Sequence, residues 1–358
     1  MSFSEFDVDR RTKKSSFLKN IDVLIDWNKI ETIIIKYYRP KSDVTGRPAY
    51  AGLLLFKMLL CGIWYGGLSD ESVEDMANAN LHVMRFLKLS LEDDVPDHSV
   101  LSRFRSTLTA ADAWDGLLTE ITQQMTQKSI GVSKGYHVDA SITLSQHKPK
   151  KRPTYEVVLD REERDDEAEA KTDMEVVIVT EPQVDAEARW TKKGGHYHFG
   201  YKQHTLVNDD GIVVSVMTTA ANKHDSVPLE EVIEKAHLPE GSAINGDKAY
   251  ASKKHTAFLK SKKLFNRIQT KATKTNPLTD AQKRRNSRIA KVRYVVERTF
   301  GSQARWFNSK IVRYKGLAKA HAWHSLLAMA YNIKRFPQLV VKYGLNPQPI
   351  LLQDQSAF

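Results

Sequence analysis

The chain has 358 residues, of which 41% are hydrophobic, and a formal net charge of +11 at pH 7. This length allows two domains with substantial cores, and the excess of Lys and Arg points to a polyanionic partner. The single cysteine, Cys61, excludes an intrachain disulfide and a cysteine-based zinc cluster, and the amino-terminal residues lack the basic start and apolar run of a secretory signal.

Residues 1–130 are predicted to form a helical domain, because apolar residues recur there at helical spacing. The predicted helices cover residues 27–37, 50–65, 69–79, a short turn ending near 87, 98–105 and 110–128. Asp97 is placed to cap the helix that begins at His98. The apolar stretch 50–68 imitates a membrane span, but Lys57 would cost about 3 kcal/mol at a bilayer centre. We therefore expect a buried core helix.

Residues 131–335 are predicted to form a second domain, in which strands and helices are mixed. The predicted order is strands at 136–144, 196–207 and 211–218, a helix near 226–236, a strand ending at 247, another helix, a strand at 264–269 and a long helix from about 278. The final helical pattern, 321–335, is predicted to pack against the first domain or a partner subunit. Residues 336–358 form a carboxyl-terminal tail that is expected to fray after Pro347.

An acidic insertion, at about residues 150–190, separates the first two strands of the second domain. Its segment 155–188 carries 13 acidic against 3 basic residues, and so dense a charge cannot bury enough apolar surface to order itself. We expect a mobile loop in which residues 175–180 pair as an edge strand. A decoy that competes with the polyanionic partner and a tolerated, solubilising insertion both remain open as interpretations.

The positive charge is concentrated between Lys248 and Lys319, where 21 Lys and Arg stand against Asp280 and Glu297. Counterion release from phosphates explains such an excess better than solubility does, since solubility needs far less charge. Nucleic acid is therefore the predicted polyanion.

Three carboxylates stand in different local settings that together suggest a split metal site. Asp139 lies on the polar side of an alternating strand, and Asp247 follows a short apolar strand. Glu297 lies one turn after Arg293, away from the apolar stripe of a basic helix. Mg²⁺ prefers oxygen ligands together with substrate phosphate, and two such ions about 4 Å apart can cleave a phosphodiester. For any single acid, a surface charge or an ion pair is the ordinary role.

The three acids lie within longer sequence blocks: His-Val-Asp139-Ala, Gly-Asp247-Lys-Ala-Tyr and Arg293-Tyr-Val-Val-Glu297-Arg-Thr-Phe-Gly. Further blocks occupy residues 96–105, 198–204, 219–225 and 313–319. In this order and spacing the blocks resemble the DDE transposases of the insertion sequence five family, within the wider insertion sequence four-like group. The resemblance extends from about Phe17 to Arg335.

This resemblance implies an α+β or α/β protein with a helical amino-terminal domain, for DNA-end binding or dimerisation, and a ribonuclease-H-like mixed-sheet catalytic domain. It implies a Mg²⁺-dependent transposase that binds terminal inverted repeats and catalyses DNA cleavage and strand transfer. Asp139, Asp247 and Glu297 would be the catalytic metal ligands for two Mg²⁺ ions, with Mn²⁺ able to substitute. The implied partners are double-stranded DNA and further copies of the chain in a homodimer or larger homo-oligomer, in the cytoplasm at the nucleoid, without a membrane or small-molecule partner.

The basic residues predicted to contact DNA are Arg293, Arg298, Arg305, Lys248, Lys202, Arg313, Lys315, Arg103 and Arg105. Two positions depart from the wider group, in which the glutamate block begins with Tyr and ends with Lys. Ala290 stands at the Tyr place and Ala304 at the Lys place. Arg305, one residue further on, is predicted to supply the missing cation.

Two other functions fit the same residues. A structure-specific nuclease of the same fold would cut DNA without joining it. A transposase-derived DNA-binding protein would have lost catalysis, although all three acids are present here.

Two histidine-containing motifs are given ordinary interpretations. A zinc site made of His196, His198 and His204 is disfavoured because the outer two would lie about 26 Å apart at about 3.3 Å per residue. Asp225, which follows His224, is expected to cap the next helix rather than to act in catalysis.

Overall fold

The structure is a computed structural model that describes residues 7–8, 10–11, 17–38, 49–128, 130–131, 134–150, 154–159, 174–179, 183–273 and 277–345. The predicted tail after Pro347 and the centre of the acidic insertion lie outside these residues.

Seven helices between Phe17 and Gln127 precede the sheet, and residues 7–8 and 10–11 are also helical. The seven helices are α1 (Phe17–Leu24), α2 (Trp27–Tyr37), α3 (Gly52–Trp64), α4 (Asp70–Ala79), α5 (Leu81–Leu87), α6 (His98–Ala110) and α7 (Trp114–Gln127). The predicted helical character is confirmed, although α1 was not predicted. Asp97 caps α6 as expected, because its carboxylate accepts hydrogen bonds from the amides of Ser99 and Val100.

Helix α3 is the apolar segment that imitates a membrane span, and it is a core helix as predicted. Lys57 is buried and donates a hydrogen bond of 2.8 Å to Asp22, while its ammonium lies 4.4 Å from the centre of the Trp27 ring. These contacts compensate for the desolvation of the charge. None of the described helices is long and apolar enough to cross a membrane.

The second part of the chain forms one large mixed sheet. Its elements are β1 (Gly135–Ser145), β4 (Arg189–Lys193), β5 (His196–Asn208), β6 (Val213–Ala220), α8 (Leu229–Lys235), β7 (Ala243–Gly246), α9 (Lys253–Ser261), β8 (Phe265–Ile268), α10 (Asp280–Val292), α11 (Tyr294–Phe307), β9 (Ile311–Val312) and α12 (Leu317–Lys342). The strands follow the order β6-β5-β1-β7-β8, with β5 antiparallel to β1 and β6, and with β7 and β8 parallel to β1. This order and these directions are those of a ribonuclease-H-like sheet, so the predicted fold is confirmed.

The acidic insertion contains two short strands, β2 (Thr154–Leu159) and β3 (Met174–Val179), which pair antiparallel with each other. They form a separate two-stranded sheet. The strand predicted at residues 175–180 is present as β3, and its partner is another strand of the same insertion.

The edge of β1 that faces away from β5 carries two parallel neighbours with a gap between them. Strand β7 pairs with residues 135–137 of β1, and β9 pairs with Leu144 and Ser145. Residues 138–143 have no strand partner on that side among the described residues. We call this gap, bounded by β7 and β9, the notch.

Helix α12 joins the helical part of the chain to the sheet. It packs on β6 and on α1, α3 and α7, and the indole of Trp64 donates a hydrogen bond of 2.9 Å to the carbonyl of Ala330. The prediction that the last helix packs against the first domain is confirmed, although the helix extends over 317–342 rather than 321–335. One hydrophobic core therefore runs from α1 to one face of the sheet, and a smaller core beneath α8 and α9 covers the other face.

Two buried histidines connect the polar side chains of the sheet. His324 of α12 lies between β1 and β6, with Nε2 3.0 Å from the hydroxyl of Thr143 and Nδ1 2.7 Å from that of Thr218. Burial lowers the pKa of His324 to about 3, and His321 and His204 act in the same direction. Burial also lowers the pKa of His204, which lies 2.9 Å from the hydroxyl of Thr219, to about 4.

We expect the free energy of unfolding to fall as the pH is lowered from 6.5 towards 4. Both histidines stay neutral in the folded protein over this window, whereas in the unfolded chain they titrate near 6.5. The unfolded state therefore binds more protons, and each histidine lowers stability by up to about 1.4 kcal/mol per pH unit. Urea denaturation at several pH values measures the effect, and His324→Gln should lose less stability than the parent over the same range. An identical pH dependence in both proteins would contradict this assignment.

Candidate active site

Asp139 and Asp247 lie side by side because of the strand register. His137 of β1 pairs with Asn245 of β7; Asp139 follows His137 by two residues on β1, and Asp247 follows Asn245 by two residues, directly after β7 ends. Side chains at paired positions of neighbouring strands point to the same face of a sheet. Strand β7 ends at Gly246, and Asp247 then begins a short 3₁₀ turn, in which its carboxylate accepts a hydrogen bond of 2.7 Å from the amide of Ala249. Both carboxylates thus border the β7 end of the notch.

The electrostatic environment of Asp139 is dominated by partial burial. Burial raises the pKa of its carboxyl group, the guanidinium of Arg293 and the amide of Ala140 oppose this shift, and the negative charge of Asp247 adds to it. Arg293 donates a hydrogen bond of 3.0 Å to one oxygen of Asp139, and the amide of Ala140 donates one of 2.8 Å to the other. The guanidinium of Arg293 and the backbone amide of Ala140 therefore hold the carboxylate of Asp139 in place.

Tyr250 is a further residue at this centre that the sequence did not reveal. Its ring is buried, and its hydroxyl has no hydrogen-bond partner among the described residues. Burial raises the pKa of the phenol, and the charges of Asp139, Asp225 and Asp247 raise it further. The hydroxyl thus lies within the field of the acidic pair, three residues after Asp247.

Glu297 does not join the two aspartates in this conformation. The long helix predicted from residue 278 is divided at Arg293 into α10 and α11, and Glu297 lies exposed in the first turn of α11. Within the described ranges, no three acidic, histidine or cysteine side chains lie close enough to hold one metal ion. Asp247 lies close enough to Asp139 for its charge to raise the pKa of that residue, whereas Glu297 completes no group of three possible ligands in the described part of the chain.

The described residues supply part of a ligand set for a divalent cation. Two neighbouring carboxylates are a suitable donor set for Mg²⁺, which is commonly bound by one or two carboxylates together with substrate phosphates. Arg293 supplies the positive charge that Asp139 needs in this conformation, so cation binding and this ion pair compete for one carboxylate oxygen.

A lysine that the sequence did not single out borders the other end of the notch. The carbonyl of Lys310 accepts a hydrogen bond of 2.7 Å from the amide of Leu144, which fixes the chain just before β9. The ammonium of Lys310 donates a hydrogen bond of 2.8 Å to the hydroxyl of Ser141. Ser141 lies two residues after Asp139 on the same face of β1. Only the pairing of β9 with β1 brings Lys310 here, and no local sequence pattern indicates that pairing.

Arg305, the predicted substitute for the missing lysine, is placed differently. Its guanidinium lies 4.8 Å from the centre of the neighbouring Trp306 ring, and the residue is exposed on α11. Ala290 is exposed on α10 and Ala304 is half-buried on α11. The structure gives no contact between Arg305 and the aspartates.

Arg105 and Lys202, like Arg293, are predicted DNA contacts that form ion pairs within the protein. The guanidinium of Arg105 is buried and donates hydrogen bonds of 2.9 and 2.7 Å to the two oxygens of Asp70. Lys202 lies 2.7 Å from Asp225 and donates to the carbonyl of Lys223. Both cations are neutralised locally, and we do not retain Arg105 as a phosphate contact. Lys202 still lines a cavity of about 190 Å³ with Lys192, Lys193 and Asp225.

The remaining predicted contacts have more accessible positions. Lys248, Arg298, Lys315 and Arg103 are exposed, and Arg313 is half-buried. Lys248 directly follows Asp247 at the notch.

Asp225 does not cap a helix as expected, because α8 begins only at Leu229 and Asp225 instead faces Lys202. The ring of His224 bonds the hydroxyl of Ser226 at 2.8 Å.

His204 is buried in β5 with Thr219 as its partner, whereas His196 is exposed at the start of the strand. The described histidines therefore form no zinc site.

Comparison with known proteins shows the family to which this chain belongs. A family model described as "Transposase DDE domain" matches residues 145–333, and a model described as "Transposase domain (DUF772)" matches residues 6–107. The chain belongs to the DDE transposase family. The first match includes Asp247 and Glu297 and begins after Asp139.

Two individual proteins illustrate the relationship. The transposase for insertion sequence element IS1106 of Neisseria meningitidis serogroup B is 35% identical over 232 residues, which cover 64% of this chain and 75% of the relative. A cryo-EM structure of the piggyBac transposase synaptic complex with hairpin DNA aligns with 95% of this chain and 79% of that chain, at 10% identity and a TM-score of 0.46. That score is too low to transfer residue roles between the two chains.

Proposed function

We propose that this protein is the transposase of an insertion sequence of the insertion sequence five group. It binds the terminal inverted repeats of its element, cuts a strand at the element end and joins the freed 3′-hydroxyl to target DNA. The observation that most supports this proposal is that Asp139 and Asp247 each follow, by two residues, the paired residues His137 and Asn245, and that the charge of Asp247 acts on the carboxyl group of Asp139. The strongly basic stretch from Lys248 to Lys319 begins directly after Asp247 and includes Glu297.

The proposed metal ligands are Asp139 and Asp247, with Glu297 as the third. Two Mg²⁺ ions, or Mn²⁺ in their place, would activate the attacking oxygen and stabilise the leaving oxygen during in-line displacement. Hard cations suit this donor set because all the side chains offered are carboxylates.

Two groups of the protein, the amide of Ala249 and the guanidinium of Arg293, contact the aspartates before DNA binds. The amide of Ala249 orients the carboxylate of Asp247, and Arg293 opposes the rise that burial causes in the pKa of Asp139. When DNA arrives, the guanidinium of Arg293 can exchange the carboxylate for a phosphate oxygen, which suits its planar array of donors. Arg293 is thus proposed to be an orienting residue in the free protein and a phosphate contact in the complex.

The exposed cations and the half-buried Arg313 are proposed to bind the DNA backbone. They are Lys248, Arg298, Arg305, Arg313, Lys315 and Arg103. Such contacts give strong dependence of affinity on salt but little sequence specificity. Pairing of the two element ends in the cytoplasm would require a homodimer or a larger homo-oligomer.

A strand-transfer assay tests the proposal. The protein is incubated with Mg²⁺ or Mn²⁺, a duplex that ends in a pre-cut 3′-hydroxyl of the element's inverted repeat, and a circular target plasmid. We expect covalent joining of the oligonucleotide to the plasmid, and cleavage at the repeat end of an uncut substrate.

The outcomes separate the alternatives. Cutting without joining would identify a structure-specific nuclease, and binding to the repeats without cutting or joining would identify a non-catalytic DNA-binding protein. Either outcome would overturn the proposed transposase activity.

A further inference from the structure

The two ends of the notch carry opposite charges. Asp139 and Asp247 border the end next to β7, and the ammonium of Lys310 lies at the end next to β9, bonded to Ser141. Asp139 and Ser141 are two residues apart on one strand, which places their Cα atoms about 7 Å apart. One phosphate group bridges a distance of this order when it contacts an acid-bound cation on one side and an ammonium on the other.

Ser141 is a weak partner for an ammonium. Its hydroxyl is neutral, so it positions the side chain of Lys310 without neutralising the charge. Lys310 is largely exposed as a residue, while partial burial of its ammonium and the nearby charge of Lys193 lower its pKa. The negative charge of an anion in the notch would offset both of these effects on the pKa of Lys310.

The position of Lys310 matters because this chain has an alanine, Ala304, where the wider group has a lysine. The wider group has a lysine at that position, whereas here Ala304 carries no charge and Arg305 lies over the Trp306 ring. Lys310, in the segment after α11, lies at the β9 end of the notch, where its ammonium bonds Ser141, two residues along β1 from Asp139.

We infer that Lys310 contacts a non-bridging oxygen of the phosphate that is cleaved, and that it takes the role of the lysine missing at position 304. This inference rests on the proposed function, since it assumes that DNA is cut at Asp139 and Asp247. Ser141 is the positioning residue that holds the ammonium towards the notch before DNA binds.

The test combines a charge-removing variant with neutral phosphates. Affinities of the parent and of Lys310→Met are measured on repeat-end duplexes that carry a single methylphosphonate at the cleavage position or at one of several more distant positions. On unmodified DNA we expect Lys310→Met to bind more weakly and its logarithmic salt dependence to fall by about 0.9, the value for one lost phosphate contact. With the neutral linkage at the cleavage position, the two proteins should bind equally.

Catalysis gives a second measurement. Single-turnover cleavage by Lys310→Met should be slower by about 10²-fold, because one donor to the developing charge is lost, and Lys310→Arg should recover part of the rate. The matched control is Lys262→Met, which removes an exposed ammonium just after α9 that pairs with Glu234 of α8. Its affinity relative to the parent should be the same on every duplex.

The inference is overturned if Lys310→Met loses equal affinity on all duplexes, or if its loss disappears only when a distant phosphate is neutral. Thermal melting of each variant shows whether folding is retained, and Lys310→Arg keeps the test informative where Lys310→Met is unstable. A parent protein that binds the duplex without cutting it would refute the proposed function instead, so the two failures are distinguishable.

Discussion

Asp139→Asn and Asp247→Asn will each reduce DNA cleavage by at least about 10³-fold while DNA binding is retained. Each substitution keeps the shape of the side chain and removes one of the two charges that would hold the metal ions. Metal ions supply several kcal/mol of stabilisation in such displacements, and each 1.36 kcal/mol corresponds to about tenfold in rate. Single-turnover cleavage of a repeat-end duplex with Mg²⁺ measures the effect, and electrophoretic mobility shift measures binding.

A matched control is Asp112→Asn in the turn between α6 and α7. Asp112 is exposed and has a φ of 50°, a left-handed conformation that asparagine also adopts. Cleavage by this variant should equal that of the parent. Glu297→Gln is proposed to follow the aspartate variants, since Glu297 is the third candidate ligand. Parental activity in Asp139→Asn, Asp247→Asn and Glu297→Gln together would exclude the catalytic assignment.

Arg105→Met will lower the free energy of unfolding by about 3 kcal/mol, because it leaves the carboxylate of Asp70 without its bidentate partner inside the protein. The side chain of Arg105 is 7% exposed and that of Asp70 is 21% exposed, so most of the desolvation penalty would remain uncompensated. The guanidinium also lies 4.2 Å from the centre of the Tyr314 ring, and that contact would be lost as well.

Chemical denaturation of three variants separates the charge effect from packing. Arg103→Met, an exposed position on the same helix, should change stability by less than about 0.5 kcal/mol. The double variant Arg105→Met with Asp70→Leu should recover much of the loss, since no buried charge is then left unpaired. A double variant that is no more stable than Arg105→Met alone would show that stacking on Tyr314, rather than the ion pair, is the main contribution.

The parts of the site that follow from local patterns could be predicted from the sequence. Alternation of polar and apolar residues indicated the face of Asp139, and the apolar stretch before Gly246 indicated that Asp247 ends a strand. Both patterns depend on residues adjacent in sequence, and the sheet's parallel pairing then brings the two aspartates together.

The parts that failed depend on contacts between distant segments. Lys310 reaches Ser141 because β9 pairs with β1 across 167 residues of sequence between Leu144 and Ile311, and a two-residue strand has no recognisable pattern. Asp225 looked like a helix cap, yet Lys202 of a neighbouring strand is its partner. The break at Arg293 likewise coincides with its ion pair to Asp139, which no helical periodicity reveals.

Helix α12 limits how these proteins can diverge. At about 1.5 Å per residue its 26 residues span about 39 Å, and along this length it touches both the amino-terminal helices and the sheet. A chain that ended near residue 130 would lack α12 and leave the apolar faces of the amino-terminal helices uncovered, and a chain that began there would leave uncovered the side of α12 that packs on them. Recombination between related elements can therefore exchange the amino-terminal helices only when the exchanged copy also fits the carboxyl-terminal helix, so the two ends of the gene are expected to be inherited together.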